Sequence, residues 1–123
     1  PFSFCCEPAI EGYKAATTAE GLMRSRYTAF AMGMVDYLIN TTASSHRNPN
    51  DAEVLEEQIQ ATTWVGLEIL TTELGKQDDD EGVVEFIASF EADGQPGELH
   101  ERSNFRREHG QWVYVDGEVE VRL

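Results

Sequence analysis

The hydrophobic period of this chain changes at Trp64, and that change limits the folds available to it. Before this residue, apolar side chains recur at helical spacing, as Met23, Tyr27 and Phe30 do. After it, short runs alternate between apolar and polar residues and are separated by turn signals. Three helices followed by a four-stranded antiparallel meander predict an α+β fold.

The predicted helices occupy the first half of the chain, over residues 17–32, 35–40 and 51–62. Thr17 or Thr18 can cap the first helix with Glu20 as the capping partner, and Gly33 ends it. Residues 41–50 contain serine, asparagine and proline, which are typical of a loop.

The predicted strands occupy the second half, over residues 64–74, 83–91, 99–107 and 111–116. Turns are predicted at the acidic run 78–80, at the Gly-Gln-Pro-Gly run 94–97 and at 108–110. Alternation continues after Gly117 through Val119 and Val121, so the last strand is expected to extend past a bulge.

The strand faces follow from the same alternation. On the third strand Phe105 favours an inward face, which it shares with Glu101 and Ser103. On the last strand the pattern leaves open whether the face of Trp112 or that of Val113 points inward.

The charge of the chain disfavours some partners. It has 9 basic and 23 acidic residues, which give a formal charge of −14. This sign repels phosphate and disfavours binding to nucleic acid or to an anionic membrane. No apolar run approaches the roughly 20 residues that span a bilayer, and no leader resembles a signal peptide. We therefore expect a cytoplasmic protein without nucleic-acid or membrane partners.

Cys5 and Cys6 are the two cysteines of the chain, and their adjacency excludes an ordinary loop-closing disulfide. A structural zinc ion needs four ligands, usually Cys or His. The three histidines, His46, His100 and His109, do not have ligand spacing to this pair. We expect no cofactor in this chain, with Cys5 and Cys6 as free thiols here and as zinc ligands in a longer protein.

Six segments carry a resemblance that covers nearly the whole chain. They are Cys5-Cys6, Leu22-Met23-Arg24-Ser25-Arg26-Tyr27, Asp36-Tyr37-Leu38, Trp64-Val65-Gly66-Leu67, Glu101-Arg102-Ser103 and Gly110-Gln111-Trp112. Together they resemble the YchJ-like family of uncharacterised bacterial proteins. The resemblance implies a nuclear-transport-factor-2-like cone over residues 16–123, with three N-terminal helices packed on a curved four-stranded sheet around a cavity. It also implies that residues 1–15 are the remnant of a SEC-C zinc motif, in which a Cys-x-Cys pair precedes the Cys5-Cys6 pair.

Candidate ligand-pocket residues lie on the first and second helices and on three of the strands. They are Arg26, Tyr27, Asp36, Trp64, Glu101, Ser103 and Trp112. Arg24 follows Glu20 by four residues, which predicts an exposed ion pair. Arg26 is expected to bury its stem and to pair with Glu101 across the helix–sheet interface, in preference to an anion-binding role.

Three functions remain open on this evidence. The favoured one is a non-enzymatic module that binds a small molecule or a protein partner. The alternative is a small isomerase or dehydratase that uses cavity carboxylates such as Asp36, Glu101 and Asp116 with Tyr27, an idea that rests on fold analogy. The third is an interaction domain that forms a homodimer through the open sheet. A polar cavity would favour the enzyme, and an exposed apolar sheet face would favour the interaction domain.

Overall fold

The computed structural model describes residues 17–122, which form three α-helices followed by one four-stranded sheet. The helices are α1 (Ala19–Met32), α2 (Val35–Asn40) and α3 (Asp51–Ala61), with a short 3-10 turn at Ser44–His46. The strands are β1 (Thr63–Leu74), β2 (Glu81–Ala92), β3 (Gln95–Glu108) and β4 (Gln111–Arg122). The strands pair in chain order and each pair is antiparallel, so the predicted meander is confirmed.

Helix α1 begins at a side-chain cap and ends at Gly33. The Thr18 hydroxyl accepts a hydrogen bond from the Gly21 amide at 3.0 Å, which makes Thr18 the cap rather than Thr17. The expectation that Glu20 acts as the capping partner is not met, because its carboxylate accepts from Arg24 at 2.9 Å. That ion pair is exposed, as predicted, and contributes little stability.

Two tight turns set the register of the second half of the sheet. The β2–β3 turn consists of Asp93 and Gly94, whose φ angles are 53° and 75°. The β3–β4 turn consists of His109 and Gly110, with φ angles of 53° and 79°. Positive φ at both central residues is the geometry that matches the twist of a two-residue hairpin. The predicted turn at 94–97 is therefore wrong in extent, because Gln95 already pairs with Ala92 in the sheet.

A bulge at Val115 decides which β4 side chains face α1. Asn104 pairs with Asp116 while Phe105 pairs with Tyr114, so Val115 has no partner on β3. The bulge lies two residues before the position expected from Gly117, and the strand extends beyond it to Arg122, as predicted. Because one extra residue reverses the alternation, Tyr114 and Val119 both line the inner side of the sheet.

The hydrophobic core has two parts. Helix α1 supplies Leu22 and Met23 to a core with Phe86, Phe105 and Trp112 from the sheet. A second cluster forms around Ala29 and Leu38, against which Leu55 and Ile59 of α3 pack. Of the three helices predicted to pack on the sheet, α1 supplies the helical residues of the sheet core. Helices α2 and α3 pack instead around the C-terminal end of α1.

The loop after α2 extends the sheet at its β4 edge. The Tyr114 amide donates to the carbonyl of Thr41, and the Ala43 amide donates to the carbonyl of Tyr114, both at 2.7 Å. These bonds hold residues 41–43 beside β4 and leave Ala43 fully buried. Among residues 17–122, no helix has the length and apolar character that a membrane crossing requires.

Candidate functional site

A cavity of about 550 Å³ lies between α1, α3 and the inner face of the sheet. Its floor comes from β2 and β3 through Phe86, Ala88 and Leu99, and its rim comes from Val119 and Val121 of β4. This volume is in the range of pockets that hold drug-sized molecules. The lining is largely apolar, and Arg26 and Glu101 are its charged members.

One wall of the cavity is aromatic and is formed by Tyr27, Phe30, Trp64 and Phe90. The Trp64 ring contacts the other three, with centroid separations of 6.1 Å to Tyr27, 6.4 Å to Phe30 and 5.6 Å to Phe90. The contacts with Tyr27 and Phe90 are edge-to-face, which is a preferred geometry of aromatic pairs, and the contact with Phe30 is tilted. Burial raises the pKa of Tyr27 despite the opposing backbone hydrogen bond at Gly66, so this phenol is neutral at physiological pH.

The opposite end of the cavity is polar and is formed by Arg26, Glu101 and Tyr114, which we call the polar end. Arg26 is only 7% exposed. Its Nη1 donates to the Leu38 carbonyl at 2.8 Å and to the Thr41 hydroxyl at 2.7 Å, and its Cζ lies 4.9 Å from the centre of the Tyr114 ring. Burial lowers the pKa of Arg26 to about 10, against the opposing effects of Tyr114, Tyr37 and Glu101, and the side chain stays charged at neutral pH.

Glu101 is held by two hydroxyl groups. Its Oε2 accepts from the Ser103 hydroxyl at 2.6 Å and from the Tyr114 hydroxyl at 2.9 Å. Burial, followed by the Glu101 carboxylate, raises the pKa of Tyr114 well above its usual value, which keeps this phenol as the donor. A Cβ atom on Gly117 would lie 2.4 Å from Oε2 of Glu101, so the absence of a side chain there makes room for the carboxylate.

The predicted ion pair between Arg26 and Glu101 is not formed, and that expectation is wrong. The guanidinium donates instead to oxygens of the α2 end and the following loop, and Glu101 is held by the sheet. Tyr114 lies between them, with its ring under Arg26 and its hydroxyl on Glu101. Arg24, the other arginine of α1, is paired with Glu20 on the exposed side of the helix.

The structure brings four of the seven candidate pocket residues to this cavity: Arg26, Tyr27, Trp64 and Glu101. Ser103 is fully buried behind Glu101 and acts on the cavity only through that hydrogen bond. Trp112 lies in the core, where its Nε1 donates to the carbonyl of Thr17. Asp36 is exposed on α2 and is not among the residues that line the cavity.

Two residues of the site, Tyr114 and Gly117, were not among the candidates. Tyr114 shares a strand face with Trp112, a pattern that could have drawn attention to it once that face was known to be inward. Gly117 is seen to matter only when Glu101 is placed opposite it, because β3 and β4 bring the two together across the sheet.

The face of the sheet away from α1, which we call the outer face, is charged. Glu85 accepts from His100 at 2.7 Å and from Arg102 at 3.3 Å, and Arg102 also pairs with Glu73. The hydrogen bond from His100 is the main cause of the lowered pKa of Glu85. This pattern differs from the exposed apolar face that an interaction domain would present.

A second, more open recess of about 400 Å³ adjoins the cavity and shares Arg26, Leu55, Gln58 and Tyr114 with it. Its other polar side chains include those of His46, Asp51 and Asp116. Within residues 17–122 no three histidine, cysteine or acidic side chains are grouped as metal ligands would be. Cys5 and Cys6, the predicted metal ligands, and the predicted motif remnant at 1–15 lie outside the described residues.

Comparison with known proteins identifies the family. A family model described as the middle NTF2-like domain of YchJ matches residues 18–117. The chain belongs to this family. Among curated relatives, a UPF0225 protein of Geobacter sulfurreducens is 43% identical over 116 residues, which are 94% of this chain and 72% of that protein. A UPF0225 protein of Chromobacterium violaceum is 46% identical over 104 residues, which are 85% of this chain and 76% of that protein.

Solved structures agree with the NTF2-like assignment. A SEC-C motif containing protein from Rhodopseudomonas palustris, solved in solution, superposes with a TM-score of 0.87 at 34% identity. The match covers 95% of this chain and 90% of that one. A crystal structure of a SEC-C motif containing protein from Psychrobacter arcticus has a TM-score of 0.81 at 29% identity, over 99% of this chain and 74% of that one.

Proposed function

We propose that this domain is a non-enzymatic binding module whose cavity holds a small organic molecule with an apolar body. The cavity itself carries the proposal, because it encloses about 550 Å³ behind an aromatic wall and a largely apolar floor. A space of this size and lining favours burial of apolar surface, at roughly 25 cal/mol for each Å² removed from water. In this proposal the helices and the curved sheet form the cone that encloses the ligand.

A neutral fluorescent probe, N-phenyl-1-naphthylamine, tests this proposal. Its emission rises when it leaves water for an apolar site, so titration gives a dissociation constant. The variant Val119→Trp narrows the rim of the cavity, and Val65→Trp is a matched control. The two valines are 52% and 58% exposed, and Val65 is not among the lining residues. We expect the probe to bind the unmodified protein and the control alike, and Val119→Trp to bind it roughly tenfold more weakly.

Two results would contradict the proposal. The first is the absence of any saturable rise in emission with the unmodified protein. The second is equal binding by Val119→Trp and Val65→Trp, since this would place the probe somewhere other than the cavity. Circular dichroism of the two variants checks that both retain the fold.

The alternative function, an isomerase or dehydratase, has less support. It was expected to use several carboxylates, yet Glu101 is the acidic residue among those that line the cavity. Asp36 is exposed on α2, and Asp116 accepts a hydrogen bond from Asn104 at 2.7 Å. An enzyme built on this site would depend on Glu101 with Tyr27 or Tyr114 alone.

The cysteine pair is the basis of a separate proposal about the longer protein. The two solved relatives are described as containing a SEC-C motif. We infer that Cys5 and Cys6 supply two of the four zinc ligands of such a motif and that an upstream Cys-x-Cys pair supplies the others. This chain alone should bind zinc weakly. Elemental analysis that finds one zinc per chain, lost on changing Cys5 and Cys6 to serine, would contradict this expectation.

A further inference from the structure

Some hydrogen-bonding atoms of the polar end have no partner among the described residues, and they indicate which ligand head group would fit. Arg26 uses Nη1 for its bonds to the Leu38 carbonyl, the Thr41 hydroxyl and, at 3.4 Å, the Thr42 hydroxyl. Its Nε and Nη2 donate to no described residue. Every fully buried side-chain nitrogen or oxygen among residues 17–122 has a partner, so these two nitrogens are not fully buried. Arg26 lines both the cavity and the recess that adjoins it.

Glu101 offers the complementary group. Its Oε2 is occupied by Ser103 and Tyr114, while its Oε1 accepts from no described residue. By the same reasoning Oε1 is not fully buried, and Glu101 lines the same cavity as Arg26. The polar end therefore presents N–H donors from one side chain and a carboxylate acceptor from another, held apart by Tyr114.

The charges of the polar end decide between ligand head groups. Arg26 and Glu101 are the charged residues that line the cavity, and their charges cancel. A carboxylate on the ligand would pair with Arg26 but would be repelled by Glu101. An ammonium would pair with Glu101 but would be repelled by Arg26. An uncharged head group that both accepts and donates hydrogen bonds can pair with Arg26 and with Glu101. A head group that leaves either side chain without a hydrogen bond should bind more weakly, because an unpaired polar group in a buried site costs free energy.

We propose that the polar end binds an uncharged carboxamide-type head group, whose carbonyl accepts from Arg26 and whose N–H donates to Glu101. The head group would be attached to an apolar body that contacts the aromatic wall. This inference rests on the proposed function, because it requires that the cavity bind small molecules.

A matched series of naphthalenes tests the inference. The probes are 2-naphthamide, 2-naphthoate, 2-(aminomethyl)naphthalene and 2-methylnaphthalene, which share a body and differ in the head group. Isothermal titration at neutral pH gives the affinity of each. We expect 2-naphthamide to bind the unmodified protein about tenfold or more tightly than each of the other three.

The variant Glu101→Gln should reverse this preference. The amide oxygen of the new side chain takes over the bonds from Ser103 and Tyr114, so its NH₂ faces the cavity. The polar end then holds only donors and a net positive charge, and 2-naphthoate should become the tightest of the four. The control Glu98→Gln makes the same charge change on β3 at an exposed position outside the cavity lining, and it should keep the original order.

The possible results separate this inference from the proposed function. Equal affinities for all four probes, lost in Val119→Trp, would overturn the carboxamide inference while supporting the apolar cavity. Tightest binding of 2-naphthoate by the unmodified protein would also overturn it. Failure of every probe to bind would refute both. If Glu101→Gln does not fold, as judged by circular dichroism, the order of the four affinities in the unmodified protein and in Glu98→Gln still tests the carboxamide inference.

Discussion

The hydrogen bond from Tyr114 to Glu101 provides a direct test of how the polar end is held together. Tyr114→Phe removes the hydroxyl that donates to Oε2 of Glu101 at 2.9 Å. The ring remains, with its edge-to-face contact to Phe105 at 5.8 Å and its position under Arg26. The substitution therefore deletes one hydrogen bond and little packing.

The expected magnitude follows from the charge of the acceptor. A hydrogen bond to a charged group contributes about 1.5–3 kcal/mol, and one between neutral groups about 0.5–1.5 kcal/mol. Glu101 keeps its bond from Ser103 at 2.6 Å, and cavity water can replace part of what is lost. We therefore expect Tyr114→Phe to lower the free energy of unfolding by about 1.5–2 kcal/mol.

A double-mutant cycle with Glu101→Gln isolates this interaction. In that background the acceptor is neutral, so the same loss of hydroxyl should cost only about 0.5–1 kcal/mol. Urea unfolding followed by far-ultraviolet circular dichroism gives the four free energies, provided that the denaturant slope is the same in all variants. The reasoning fails if Tyr114→Phe lowers stability by less than about 0.5 kcal/mol and the cycle shows no coupling.

Two further predictions concern the sheet. Gly117→Ala should destabilise the protein by about 1–3 kcal/mol and displace the Glu101 carboxylate, because the new methyl would lie 2.4 Å from Oε2. The control is Gly66→Ala, whose methyl would meet nothing nearer than 4.0 Å and which should change stability little. Equal effects of the two substitutions in urea unfolding would contradict the packing argument. The hydrogen bond from His100 lowers the pKa of Glu85, so the folded state binds fewer protons than the unfolded state just below the ordinary value of 4.5. The stability that the ionised Glu85 carboxylate contributes is present above this pH and is lost as the pH falls. The melting temperature of Glu85→Gln should therefore change less with pH on the acidic side than that of the unmodified protein. An unchanged slope would show that the hydrogen bond between His100 and Glu85 does not form in solution.

The outline of the fold could be read from local sequence signals. The second helix matches its predicted bounds, and the strands are found where alternation predicts them, because period and turn residues act over a few positions. The predicted turn at 94–97 is wrong for a local reason. Pro96 suggested a break, yet it pairs within the sheet opposite Glu91, and the two residues before Gln95 make the turn alone.

The candidate site was predictable only in part. Of the cavity residues, Glu101 could be inferred from alternation on β3 and Tyr27 from helical spacing on α1. Asp36 was placed at the cavity by analogy, and the structure has it exposed. A sequence pattern gives the face of a residue, but it does not give the distance to a residue on another element.

The polar end shows where sequence ceased to be sufficient. The sequence by itself determined an α+β chain with an inward Glu101 and a helix that buries Arg26. It did not determine the bulge at Val115, which turns Val119 and Val121 toward the same side as Tyr114, or the loop carbonyl and hydroxyls that bind Arg26. These depend on contacts between segments far apart in the chain, and only tertiary packing brings their hydrogen-bonding groups within reach of one another.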